Sequence, residues 1–141
     1  VCAALILQGT GCASQPPQIT VEDQYANLSG MFLGAGSVFM KIRNAGGKDV
    51  LIGATVALPN ATVELHDVKD NRMVKTESIS IPARGMVELK PRSLHIMLFN
   101  MPKSVQVGAE IVLSLSFEKS GELKVPVRFE KPRESPAHGG R

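Results

Sequence analysis

Cysteine is almost absent from this sequence. The 141 residues contain two cysteines, Cys2 and Cys12, and neither lies beyond the first dozen positions. The rest of the chain therefore cannot form a disulfide, present a thiolate nucleophile or bind a metal through a thiolate. A blue-copper electron-transfer site needs a cysteine ligand. The distribution of cysteine thus excludes an electron carrier of that kind.

Aromatic residues and net charge are also low. With no Trp and one Tyr, the chain lacks the side chains on which nucleic-acid-binding proteins stack bases. The formal net charge is +3, and most of it comes from the last eleven residues. The body of the chain has no basic stripe for a phosphate backbone, so we expect no nucleic-acid partner. No catalytic triad pattern, phosphate-binding loop or HExxH motif is present, and we expect no enzyme.

The start of the chain contains a short apolar run. Residues 1–12 have no initiator Met, and Val1–Leu7 is followed by Gly-Thr-Gly-Cys. This pattern predicts a truncated secretory signal of the bacterial lipoprotein type, with Cys12 as the lipidated residue. An ordinary signal peptide is the alternative. The run is shorter than the about 20 apolar residues of a transmembrane helix. We expect an extracytoplasmic protein, in the periplasm or on the outer face of the cell membrane, where lipid on Cys12 would tether it.

The remaining residues predict one all-β domain with a tether and a tail. The Ser- and Pro-containing residues 13–18 are typical of a tether, residues 19–130 form the domain, and the Pro- and Gly-rich residues 131–141 predict a disordered tail. No stretch has helical periodicity over three turns. Short alternating segments recur instead at spacings of about 8–12 residues, which favours an antiparallel β-sandwich or barrel.

Three local predictions concern the strands. Small and polar residues predict a loop over Asp23–Gly36, whereas Met73–Ile81 predicts one extended segment. Pro126 lies within the last alternating segment and cannot donate a backbone hydrogen bond. It therefore predicts that this strand lies at the edge of a sheet.

Histidine and methionine concentrate between His66 and Met97. Successive strand side chains point to opposite faces, so His95 and Met97 share one face of the alternating segment 93–99. An imidazole and a thioether suit a soft metal such as Cu(I). We predict one metal site formed by His66, Met73, His95 and Met97. Thioethers do not form disulfides, so such a site would work in an oxidising compartment. Its affinity should fall in acid, because imidazoles become protonated.

The other candidate side chains have simpler interpretations. A methionine at an alternating strand position is more often a core residue than a ligand, which is the interpretation for Met31, Met40, Met86 and Met101. His138 is assigned to the tail. Glu64 shares a strand face with His66 and could hold its second ring nitrogen, although a solvated carboxylate is the alternative.

The residues around the predicted site resemble the PCuAC family of extracytoplasmic copper chaperones. Its motif is a His or Met, then a Met, then His-x-Met. Twenty-one residues separate Met73 from His95, which is the family spacing. Six residues separate His66 from Met73, fewer than usual, and the difference falls in a predicted turn at 69–72, where shortening costs little. The similar segments are Glu64-Leu65-His66, Ile81-Pro82-Ala83, Val87-Glu88-Leu89-Lys90-Pro91 and His95-Ile96-Met97-Leu98.

This resemblance implies a fold and a function. The fold would be a cupredoxin-like, Greek-key β-sandwich or barrel. The protein would bind Cu(I) and transfer it to a copper-accepting protein, such as a cytochrome c oxidase subunit or one of its assembly factors. Two alternatives stay open. One is a copper-buffering or tolerance protein, and the other is a β-sandwich binding module whose metal site is degenerate.

Overall fold

The computed structural model describes residues 15–133, which form two antiparallel β-sheets around one core. This part of the chain contains no helix, and hence none long and apolar enough to cross a membrane. The predicted all-β fold class is confirmed. The strands are β1 (Ile19–Leu28), β2 (Gly36–Asn44), β3 (Asp49–Val56), β4 (Thr62–Lys69), β5 (Arg72–Thr76), β6 (Ile79–Ile81), β7 (Gly85–Leu89), β8 (His95–Phe99), β9 (Glu110–Phe117) and β10 (Gly121–Arg128).

The larger sheet has the strand order β1-β2-β8-β4-β5, and β7 also pairs with β2. Strand β1 pairs with one edge of β2. The other edge of β2 pairs with β8 at residues 36–38 and with β7 at residues 40–44. A short loop between β7 and β8 interrupts this edge, closed by a hydrogen bond from Lys90 N to the Leu94 carbonyl. The loop determines where β8 begins, and β8 begins at His95.

The core lies between the larger sheet and a smaller one with the order β10-β9-β3-β6. From β8 it receives Ile96 and Leu98, which are fully buried. Burying one such side chain contributes about 1.5–3 kcal/mol. This packing fixes the register of β8, because a slip of one residue would exchange its two faces and turn His95 into the core. His95 and Met97 are therefore held on the outer face of the larger sheet.

The first strand is longer than the sequence suggests. The predicted loop over Asp23–Gly36 is wrong for residues 23–28, because β1 continues to Leu28. A β-bulge lies between Glu22 and Tyr25, and Asp23 within it has a φ of 55°. The extra residue interrupts the alternation of buried and exposed positions. The second half of the strand therefore does not continue the alternating pattern of the first half.

The predicted extended segment Met73–Ile81 is also wrong as a single strand. It divides into β5, at the edge of the larger sheet, and β6, at the edge of the smaller one. Ile79 and Ile81 are buried in the core, whereas Met73 is exposed. The prediction for Pro126 is confirmed, since β10 pairs with β9 and forms the other edge of the smaller sheet.

The described parts of the predicted tether and tail lie against the domain. Gly47 N donates to the Pro16 carbonyl, and Gln18 N donates to Asn44 Oδ1 at 3.0 Å. A side chain at Gly47 would overlap the backbone of the tether, so glycine is needed for this close approach. At the other end, the Arg133 guanidinium lies 3.5 Å above the Tyr25 ring. The whole predicted signal with Cys12, and residues 134–141 of the predicted tail with His138, lie outside the described residues.

A buried carboxylate joins the start of β3 to the β9–β10 hairpin. Asp49 is fully buried, and its oxygens accept hydrogen bonds from the backbone N–H groups of Val50, Lys119 and Ser120 and from the Ser120 hydroxyl. Burial by itself raises the pKa of Asp49, but the hydrogen bonds from Ser120, Lys119 and Val50 outweigh it and leave the pKa below its ordinary value. The ionised carboxylate therefore stabilises this corner of the fold.

We expect Asp49→Asn to lower the free energy of unfolding at neutral pH by about 2–3 kcal/mol, because an amide nitrogen would face backbone donors. The pKa of Asp49 is lowered on folding, so its stabilisation is present above the unfolded pKa of about 3.9 and is lost as pH falls through the folded value. Urea denaturation should show the difference from wild type shrinking below about pH 4. Asp70→Asn, at an exposed turn, is the control. An equal difference at both extremes would contradict the role of the ionised form.

Candidate metal centre

The four predicted ligands share the outer face of the larger sheet. His66 on β4 lies directly opposite His95 on β8, and their ring centroids are 5.7 Å apart. Met97 follows two residues after His95 and therefore points to the same side. Met73 on β5 lies opposite Val68, two residues beyond His66, which places it on this face as well. Three neighbouring strands thus bring these side chains to one region.

The β4–β5 turn explains how the short spacer is accommodated. Lys69 pairs with Arg72, so Asp70 and Asn71 alone make the turn, with φ values of 52° and 63°. Positive φ at both positions characterises the tight two-residue hairpin turn for which Asn and Asp are suited. Its register places Met73 Sδ 3.2 Å from His95 Nε2. The six-residue spacer therefore brings Met73 to the predicted site.

His95 presents an unprotonated nitrogen to Met73. Its Nδ1 lies 2.7 Å from the Ser93 carbonyl oxygen, which can only accept, so Nδ1 carries the ring proton and Nε2 carries a lone pair. Burial is the largest effect on the pKa of His95 and lowers it, and the nearby His66 lowers it further. The Ser93 carbonyl and Asp67 act in the opposite direction. The lowering effects are stronger, so the pKa of His95 lies below its ordinary value. Neither Nε2 nor a thioether sulfur can donate a hydrogen bond in this state, so two electron-pair donors face each other.

His66 also has an unused lone pair. Its Nε2 lies 2.9 Å from Glu64 Oε1, and an ionised carboxylate only accepts hydrogen bonds, so Nε2 carries the proton. The other nitrogen, Nδ1, is buried and has no hydrogen-bond partner, the one such side-chain N or O atom in residues 15–133. A buried polar atom left unpaired is costly. An ion that accepts its lone pair would remove that cost.

The two methionines differ in exposure. Met97 is 4% exposed, and Ser37 Oγ lies 3.2 Å from its sulfur, so the hydroxyl can orient the thioether. Met73 is 51% exposed. Met73 and His95 line an open cleft. The cleft lies between the β4–β5 turn, at Asn71, and the β7–β8 loop, at Arg92. One thioether is held within the sheet and the other borders solvent.

The donor set is neutral and soft. Among the described residues, no group of three or more His, Cys, Asp and Glu side chains is placed to hold a metal ion, whereas carboxylate clusters are typical of sites for hard cations. Two imidazoles and two thioethers suit Cu(I) better than Mg²⁺ or Ca²⁺. Whether these four residues bind a metal stays a prediction, but their chemistry fits a single soft ion.

Several contacts around the site were not predicted from the sequence. Ser37 comes from β2, and Phe39 and Phe99 lie beside the imidazoles, with ring centroids 6.2 Å from His95 and 6.1 Å from His66. Non-local strand pairing places them there, and no local motif marks them. Of the methionines predicted to be core residues, Met40 and Met101 are buried. Met31 and Met86 are exposed, so that prediction is wrong for them.

Comparison with known sequences supports the relationship that the motif suggested. The pattern of the family described as "Putative lipoprotein LpqE-like" matches residues 19–129. A protein of Leifsonia xyli subsp. xyli (strain CTCB07), named "Putative lipoprotein Lxx21020", is 26% identical over 145 residues. That alignment covers 89% of this chain and 86% of the relative.

Solved structures of PCuAC domains have the same fold. The copper-bound PCuAC domain from PmoF2 superposes with a TM-score of 0.68 at 24% identity, covering 81% of this chain and 93% of that domain. Cu(I)-DR1885 from Deinococcus radiodurans gives a TM-score of 0.63 at 23% identity, covering 81% and 80%. The predicted resemblance to PCuAC domains is therefore confirmed for the fold. By the match over residues 19–129, this chain belongs to the LpqE-like family.

Proposed function

We propose that this protein is an extracytoplasmic metallochaperone that binds Cu(I) and transfers it to a partner protein. His66, Met73, His95 and Met97 would hold the ion. The observation that carries the proposal is the 3.2 Å contact between His95 Nε2 and Met73 Sδ, where two electron-pair donors meet without a proton between them. The copper-bound PCuAC domain of PmoF2 and Cu(I)-DR1885, which share the fold, support the choice of copper.

The position of Met73 favours transfer over permanent storage. A chaperone must release its ion to an incoming ligand, and thioethers are weak ligands that such a ligand can replace. Met73 is half exposed and borders the cleft that reaches His95. A side chain of an acceptor protein could enter this cleft and replace the thioether first. The buried imidazole of His95 would then be the last protein ligand to leave on that side.

The acceptor is proposed from family resemblance. A cytochrome c oxidase subunit or one of its assembly factors would receive the copper. A copper-buffering or tolerance protein would use the same ligands without a dedicated acceptor. A binding module with a degenerate site would not bind copper, and the facing donors of His95 and Met73 favour an intact site.

Copper binding can be measured by competition with a chromophoric Cu(I) chelator. We expect wild type to take up one ion per chain. His95→Ala should lower the affinity by at least ~100-fold, which corresponds to about 2.7 kcal/mol, because it removes a ligand. Met97→Leu and Met73→Leu should also weaken binding, and they keep the side-chain volume, so losses of packing stay small.

Met86→Leu is the matched control, because Met86 lies on β7 of the same sheet and is also exposed. Its copper affinity should equal that of wild type. A wild-type domain that binds no Cu(I) would favour the degenerate module, and transfer to no acceptor from a fully loaded domain would favour buffering.

Copper affinity should depend on pH, because a proton competes with the metal for each imidazole lone pair. The lowered pKa of His95 keeps this residue neutral further into acid than a free imidazole. We therefore expect little change above about pH 7 and a steep loss below the ordinary imidazole pKa of about 6.5. Competition titrations should be repeated from about pH 7.5 to 5. A constant affinity over this range would contradict this prediction.

We also propose that Cys12 is acylated and tethers the domain to the outer face of a membrane. The pattern before this cysteine and the lipoprotein descriptions of the family and of the Leifsonia relative support this proposal. Mass spectrometry of the membrane-extracted protein should find a diacylglyceryl group on Cys12, and Cys12→Ser should release the protein from the membrane fraction. An unmodified Cys12 in membrane-extracted protein would contradict it.

A further inference from the structure

The two histidines of the site form their hydrogen bonds through different ring nitrogens. Nδ1 of His95 meets the Ser93 carbonyl, whereas Nε2 of His66 meets the Glu64 carboxylate. We propose that Glu64 is a positioning residue that keeps the proton of His66 on Nε2 and thereby makes Nδ1 the copper-binding atom. His95 would bind through Nε2. This inference rests on the proposed copper site and assigns a role to a residue outside the four predicted ligands.

The placement of Glu64 follows from strand alternation. It lies two residues before His66 on β4 and therefore points to the same face. On this face it lies opposite Met97, and its Oε1 is 2.9 Å from His66 Nε2. A carboxylate bound to a metal-binding imidazole fixes the tautomer and ring orientation and makes the other nitrogen a better electron-pair donor.

A second, weaker contact involves the other oxygen of the Glu64 carboxylate. Lys75 lies opposite His66 on β5, and its Nζ is 3.9 Å from Glu64 Oε2. One carboxylate oxygen is thus bonded to the imidazole while the other lies near an ammonium group. Lys75 is mostly exposed, so solvent screens this ion pair. The hydrogen bond to His66 is the contact that orients Glu64.

The unpaired nitrogen of His66 points to the same assignment. Nδ1 is buried without a partner, although a protein rarely leaves such an atom unsatisfied. The free lone pair of His95, on Nε2, meets the sulfur of Met73. The buried Nδ1 of His66 carries the other free imidazole lone pair of the site. Glu64 also supplies a negative charge beside a site whose proposed ligands are all neutral, which favours a bound cation.

The tautomer can be read without copper, by nitrogen-15 NMR of the imidazoles in the metal-free protein. We expect wild-type His66 to be a single tautomer, with a protonated Nε2 whose hydrogen exchanges slowly with water. Glu64→Ala should give a mixture of tautomers with fast exchange. Glu64→Gln should preserve the wild-type tautomer, because the amide oxygen can still accept the hydrogen bond.

Copper affinity is then measured on the same variants by chelator competition. Glu64→Ala should lose about 10–100-fold, the usual cost of removing a partner of a metal ligand, and Glu64→Gln should lose less than about tenfold. Glu88→Ala removes an exposed carboxylate from β7 of the same sheet and should leave the affinity within about twofold of wild type.

Two results would overturn the role of Glu64. One is a metal-free His66 with its proton on Nδ1. The other is a Glu64→Ala variant that folds and binds copper as tightly as wild type, whatever its tautomer. A wild-type protein that binds no Cu(I) would instead refute the proposed function and the copper-binding role of Nδ1. The NMR measurement would still show whether Glu64 sets the tautomer, so the two failures can be told apart.

Discussion

The two-sided packing of β8 is the constraint on which the site depends. Ile96 and Leu98 are fully buried between the sheets, while His95 and Met97 occupy the opposite face. Each side chain on the core face gains stability from burial, whereas an imidazole there would be buried without a suitable partner. The energy of the hydrophobic core therefore holds the donors in register. The register of the strand follows from this burial, so the proposed copper ligands would be oriented before an ion binds.

Neighbouring polar groups complete this preparation. The Ser93 carbonyl and the Glu64 carboxylate each engage one nitrogen of an imidazole, and the Ser37 hydroxyl meets the sulfur of Met97. Each imidazole keeps one lone pair free as a result. A donor set that is already oriented loses less conformational entropy when it binds. Met73 is the exception, because it is half exposed and lies beside the β4–β5 turn, where the proposed transfer of copper would exchange it.

The β4–β5 hairpin shows how a site tolerates a change of length. In a two-residue hairpin, the strand register depends on the turn, and each added or removed cross-strand pair takes two residues. A spacer that changes by whole pairs with the same turn keeps the side chains on their original faces. The pairing of Val68 with Met73 therefore returns Met73 to the face of His66. The short spacer makes the hairpin shorter but keeps the Met73 thioether on the same face as the His66 imidazole.

The amino-acid sequence by itself determined the fold class, the edge position of Pro126 and the shared face of His95 and Met97, because alternation with a period of two is a local property of a strand. It could not reveal the bulge at Asp23, the division of Met73–Ile81 between two sheets or the contact of Ser37 with Met97. These features depend on pairing between strands that are distant in sequence. Only the tertiary structure decided which nitrogen of each histidine remains free, because the hydrogen bonds that engage the other nitrogen form when the strands come together.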